Sequence, residues 1–298
     1  MFGIYFGNYL QNKGVISKEQ YFELLEEIKT SRLKMGLLAI VNGLMTEAQA
    51  EEVNQLQQMQ DRRFGDIAVD KGYLTEEQVS SLLKMQGDQY LLFVQALIDH
   101  NYLSLEGIQQ ELKAYKKEER FSALDLDAIK SSDLDKIVPV FTKETSIPPV
   151  MKDYLALIAR NFVRFIDTDV RLEQAERVNS CSVPFMASQE MEGEFNFFVG
   201  ISGEEDALLS AASIYGKETF DQIDEDALDA VCEFINCNNG LYASKLSEED
   251  IELELMPPVM YTKKTRIQTE GPMYCLPLYI SGKKLELVIC LESKWQID

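Results

Sequence analysis

Small and apolar residues recur through the first part of the chain with a period of 29 residues. Gly14, Gly43, Gly72 and Asn101 stand one period apart, and so do Gly7, Gly36, Gly65 and Val94. Ile16, Met45, Leu74 and Leu103 keep the same step, each followed by a hydroxyl residue: Ser17, Thr46, Thr75 and Ser104. In the first three units a glutamine (Gln20, Gln49, Gln78) stands three residues after the hydroxyl, the spacing of a capping box that starts a helix. The glycine or asparagine just upstream supplies the left-handed residue that ends the preceding helix. Each unit therefore predicts a short helix, a tight turn held by one apolar side chain, and a second helix. Four such helical hairpins occupy about residues 3–117. One hairpin cannot bury its apolar face alone, so the four are expected to pack into an all-helical repeat domain, residues 1–117.

The pattern changes after Leu112, where the run KAYKKEER is followed by LDLDAIKSSDLDKIVP and the turn signal Ser146-Ile147-Pro148-Pro149. Residues 118–148 read as a linker with one short helix, and 149–298 as a second domain. There, 150–166 has helical periodicity, and extended stretches follow at 169–175 and 182–189. A strand around EFNFFVGIS and a helix over EEDALLSAASIYG come next, then a long helix from 226 and a strand at 251–256. Residues 273–280 and 283–291 form a hairpin about the two-residue turn Ser281-Gly282. Two long helices and a mostly antiparallel sheet make this half α+β.

Charge narrows the partners. With 29 basic against 50 acidic residues the chain carries a formal charge of −21, which repels nucleic acid and anionic membrane surfaces. No apolar run is long enough for a membrane span and the start lacks the pattern of a secretory signal, so a cytoplasmic location is expected. Five cysteines, odd in number and without C-x2-C spacing, read as reduced, mostly buried side chains. His100 is the single histidine, which excludes histidine-based nucleophilic triads and disfavours histidine-ligated metal sites.

The most specific polar arrangement lies in 226–258. At about 100° per residue, Asp229, Glu233, Asn236 and Gly240 share an arc of roughly 60° on the long helix. Ala227, Leu228, Ala230, Val231, Phe234, Ile235, Leu241 and Tyr242 cover its flanks and back. Gly240 leaves one end of the stripe without a side chain, so another surface can approach the backbone. By spacing alone, such a stripe fits a solvated face as well as a site. The full pattern Asp229-x3-Glu233-x2-Asn236-x21-Pro258, with a strand running into the proline, resembles the signature of the bacterial chemotaxis phosphatases of the CheC, CheX and FliY family.

That resemblance implies hydrolysis of the aspartyl phosphate of a CheY-like response regulator. Asn236 would orient the attacking water, Glu233 would pair with a lysine of the partner, and Asp229 and Gly240 would touch the partner. It implies no cofactor or metal on this chain, the Mg²⁺ being carried by the regulator, and allows a homodimer through the sheet edge. Family members with two centres repeat the signature on the earlier helix. Here Asn161 is matched, but Tyr154 and Ile158 stand at the acidic positions, so one centre per chain of the CheX type is expected.

The helical repeat in turn resembles the N-terminal domain of the type II secretion and pilus assembly ATPases. The third unit carries the match, with Arg63, Phe64, Gly65, Ala68, Gly72, Leu74, Val79, Leu83 and Gln86. Some members of that family bind cyclic di-GMP through the arginine, which makes Arg63 a candidate ligand-binding residue. The other units carry Tyr5, Lys34 and Leu92 in its place. Beside the phosphatase reading stand a non-catalytic signalling scaffold and a cyclic di-GMP sensor.

Overall fold

The repeat is written in the backbone. In the computed structural model, which describes residues 1–59, 62–85, 87–292 and 294–297, Gly14, Gly43 and Gly72 have φ of +75, +67 and +71°, and Asn101 has +56°. At each turn the amide three residues past the helix returns to a carbonyl of its last turn, as in Val15 N–H to Leu10 O and Leu44 N–H to Ala39 O, both at 2.9 Å. Ser17 with Gln20, and Thr75 with Gln78, close reciprocal capping boxes. Thr46 and Gln49 exchange the same pair of bonds.

The helices these signals delimit are α1 Phe2–Asn12, α2 Lys18–Thr30, α3 Met35–Val41, α4 Glu47–Met59, α5 Phe64–Asp70, α6 Glu76–Lys84, α7 Gln89–Asp99 and α8 Leu105–Glu118. They form the four expected hairpins. Glycines of the second set mark close approach between helices: a Cβ on Gly7 would lie 2.6 Å from the Tyr21 ring, and one on Gly65 would lie 2.9 Å from Val79. In the third unit Phe64 and Ala68 are buried, Arg63 and Leu83 are exposed, and Gln86 lies outside the described residues.

Residues 118–148 differ from a linker with one short helix. They carry α9 Ala123–Ser131 and α10 Leu134–Thr142. Ser122 with Asp125 caps the first, Asp133 caps the second, and Ile129, Ile137, Val138 and Phe141 are buried. The charged run ends at Arg120, and beyond it apolar residues return at helical spacing. The chain divides into two compact units, Met1–Ser132 and Asp133–Asp298.

The second unit continues with α11 Pro149–Phe165, strands β1 Arg171–Leu172, β2 Glu176–Val183, β3 Phe185–Gly193 and β4 Phe197–Gly203, and helices α12 Glu205–Gly216 and α13 Glu225–Ser247. It ends with β5 Leu253–Leu255, β6 Val259–Tyr261, β7 Thr265–Ile280, β8 Lys283–Leu291 and β9 Trp295–Ile297. The sheet runs β1-β7-β8-β4-β3-β5, with β2 and β9 also on β7 and β6 on β3, all antiparallel. Every residue of β4 is buried because both faces of the curled sheet are covered. Phe197 faces the helices, in edge contact with Tyr154, while Phe198 joins Met186, Met273 and Val288 on the other face, where Trp295 packs against it.

His100 bonds Glu27 at 2.6 Å, and that hydrogen bond raises its pKa above the ordinary histidine value of about 6.5. The contribution of the pair to stability is complete below that ordinary value and disappears as pH rises through the raised one. An NMR titration of the chain's only imidazole is expected to show an elevated midpoint, and Glu27→Gln is expected to lower it.

Candidate functional site

The site is built on α13. Its start is fixed by Asp224, which accepts the Ala227 amide at 3.0 Å, a bond that lowers the Asp224 pKa. Glu225 and Asp226 occupy the first turn, as the helix dipole favours. Near the other end Lys245 pairs with Asp153 of α11 at 3.0 Å, and the Tyr242 hydroxyl donates to the Val150 carbonyl at 2.6 Å. Leu228, Val231, Phe234, Ile235 and Tyr242 are buried as their periodicity requires. Leu241, read as part of the apolar flank, is 46% exposed.

Asp229, Glu233 and Asn236 are all exposed along one side of this helix, and Gly240 beyond them faces open space. Neither Asp229 nor Glu233 has a hydrogen bond or ion pair among the described residues. Their charges add to the burial that pushes the Cys232 thiol up to about 12. Asn236 is held: its Oδ1 accepts from Gln189 Nε2 at 2.9 Å.

Gln189 belongs to a seam of amides under the helix. It rises from the helix-facing side of β3 and is 2% exposed. Its second Nε2 proton goes to the Met256 carbonyl at 2.8 Å, and its Oε1 accepts from Asn239 Nδ2 at 2.8 Å. Asn239 in turn accepts from the Tyr154 hydroxyl at 2.7 Å. Burial drives the Tyr154 pKa well above its ordinary value, which keeps that hydroxyl a donor. Alongside, Asn161 Nδ2 donates to Asn238 Oδ1 at 2.7 Å, and Asn238 donates to the Phe234 carbonyl at 2.6 Å. Asn161 is 5% exposed, and Tyr154 and Ile158 are fully buried, so α11 offers no second exposed stripe at these positions.

Pro258 enters through the sheet. Met191 pairs with Leu255 in β5 and Ser188 with Val259 in β6, so residues 256–258 lie opposite only Gln189 and Glu190. This is a bulge with one extra residue, placed where Pro257 and Pro258 have no amide protons for the ladder. The Met256 carbonyl, left beside that break, is the one Gln189 takes.

The span of chain holding β3, α13 and the bulge is also what a family comparison picks out. Residues 185–281 match the family model Chemotaxis phosphatase CheX. Among solved structures, the chemotaxis protein CheX from Desulfovibrio desulfuricans is 16% identical, with 49% of this chain and 100% of that chain covered and a TM-score of 0.43. The CheX–CheY–BeF3–Mg complex from Borrelia burgdorferi gives 16%, 48%, 97% and 0.36, and FliY from Thermotoga maritima gives 15%, 48%, 91% and 0.34. No curated protein matches the chain.

Arg63, the candidate of the helical repeat, lies in the other unit, exposed at the start of α5. Among the described residues no helix is long and apolar enough to cross a membrane, and no group of three or more His, Cys, Asp and Glu is arranged to hold a metal ion.

Sequence reasoning did not find Gln189, Asn238, Asn239 or the role of Tyr154. A signal was present: Asn239 stands four after Ile235 and three before Tyr242, on the apolar face, where an amide must find partners inside. Tyr154→Phe removes the donor at the head of the seam and leaves the Asn239 oxygen buried without it. The expected loss of stability is about 1–3 kcal/mol, measured by denaturant unfolding.

Proposed function

We propose that the C-terminal unit is a phosphatase that removes the phosphoryl group from the aspartyl phosphate of a CheY-like response regulator. The observation that carries this reading is the exposed side of α13: a carboxylate without a partner among the described residues, Glu233, stands about one turn from an amide held at its oxygen, Asn236. Both lie within the span matched by the CheX family model.

The chemistry asks little of such a site. An acyl phosphate already has a good leaving group in its carboxylate, so hydrolysis chiefly needs a water in line with the phosphorus. A carboxamide meets that need because it donates and accepts within one rigid plane, fixing the water's angle without acting as a base. Glu233, which has no hydrogen bond or ion pair among the described residues, is suited to accept a lysine from the regulator. The Mg²⁺ that offsets phosphoryl charge would arrive with the regulator. Asp229 and the bare backbone at Gly240 would meet its rim, with Leu241 and the 46% exposed Val259 as apolar contacts beside Gly240 and Pro258.

Asn236→Ala is expected to lower single-turnover dephosphorylation of an Mg²⁺-loaded, phosphorylated regulator by about 100-fold while leaving its affinity nearly unchanged. Glu233→Ala is expected to lower both. Equal rates for wild type and Asn236→Ala, with binding intact in each, would leave a docking protein instead.

A further inference from the structure

The amide seam has a direction, and the direction ends at Asn236. The Met256 carbonyl can only accept, so the Gln189 amide must turn its nitrogen toward it; Oε1 then faces Asn239, whose Nδ2 supplies a proton. Gln189 is left with one Nε2 proton, and that proton requires an oxygen. Asn236 supplies Oδ1 at 2.9 Å. The Tyr154 hydroxyl fits this orientation at the other end, donating to the Asn239 oxygen. Every amide between a buried phenol and a backbone carbonyl therefore has one permitted orientation.

From this polarity we infer that Gln189 is the positioning residue of the site: it pins the Asn236 carboxamide by its oxygen and leaves Nδ2, with the second Oδ1 lone pair, to meet what docks on α13. An exposed asparagine free of such a partner would exchange its two ends, presenting oxygen or nitrogen indifferently. A donor into Oδ1 also polarises the amide and strengthens Nδ2 as a donor. The inference deepens the phosphatase reading and rests on it for its kinetic part, whereas the orientation of Asn236 stands on the hydrogen bonds alone.

Gln189→Glu keeps the shape of the side chain and, as a carboxylate, removes both protons that Gln189 donates. Asn236 must then turn Nδ2 inward, and kcat for the phosphorylated regulator is expected to fall by about tenfold to 100-fold with KM within about twofold of wild type. Placed in an Asn236→Ala chain, the same substitution is expected to add no further loss, because Gln189 acts through Asn236. Gln189→Met, uncharged and of similar length, is expected to repeat both results. In the unmodified full chain, a through-hydrogen-bond NMR coupling from Gln189 Nε2 to Asn236 Cγ is expected. Absence of that coupling overturns the inference, as does wild-type kcat in both folded variants or an equal further loss in the Asn236→Ala background. A wild-type protein that shows the coupling but no turnover refutes the phosphatase reading and leaves the pinned amide standing.

Discussion

The rotation of α13 about its own axis is the constraint on which the rest of the C-terminal unit depends. A shift of one residue turns a helix by 100°, and apolar packing, which has no direction, specifies the rotation less sharply than paired hydrogen bonds do. Two fully buried amides make such bonds here. Asn239 must find both Tyr154 and Gln189, and Asn238 must find Asn161 and the carbonyl one turn back. Leaving any one of these groups unpaired costs about 1–3 kcal/mol, a sizeable part of a domain's net stability. The rotation that satisfies all of them is the one that puts Asp229, Glu233 and Asn236 into solvent. Exposure of the stripe is thus fixed by what lies beneath the helix as well as by the charges of the stripe itself.

The same seam joins the helix to the break in the sheet. Pro257 and Pro258 interrupt the ladder between β5 and β6, and the bulge frees a carbonyl close under α13. Gln189, on the opposite strand, binds that carbonyl and Asn236 with the two protons of one nitrogen. Asn236 and the Met256 carbonyl, which precedes the two prolines, are bridged in space by this single side chain. The prolines thus lie beside the carbonyl that helps to seat the side chain holding the asparagine.

Much of the fold was legible in the chain because its signals are local. Glycine at a left-handed turn and a glutamine three residues after a hydroxyl each act within one turn of helix, so the four hairpins could be read residue by residue. The stripe was legible for the same reason. What stayed hidden depends on distant partners. The strand β7 extends from Thr265 through Gly271 and Pro272, which read as breakers. The register shift in β2 between Val178 and Ser180 places those residues in a bulge, where the missing amide proton is not needed. Strand β9, three residues long, exists because β7 offers it an edge. Gln189 looked like an ordinary polar residue in an extended stretch, and only α13 lying across β3 makes it the centre of the seam.

The two long helices show how little separates a scaffold from a candidate site. Both carry an asparagine at the matching place, Asn161 on α11 and Asn236 on α13. On α11 the two positions preceding it are Tyr154 and Ile158, large side chains that belong in the core, and they carry Asn161 inward with them to 5% exposure. On α13 the corresponding positions are Asp229 and Glu233, charges that belong in water, and they carry Asn236 outward. Yet α11 contributes to the seam beneath its neighbour. Tyr154 supplies the proton at the head of the seam, and Asn161 supplies the one that seats Asn238. Two of the three matching positions on α11, Tyr154 and Asn161, hold α13 in its orientation, so the asymmetry of the pair puts one helix to work in fixing the face the other presents.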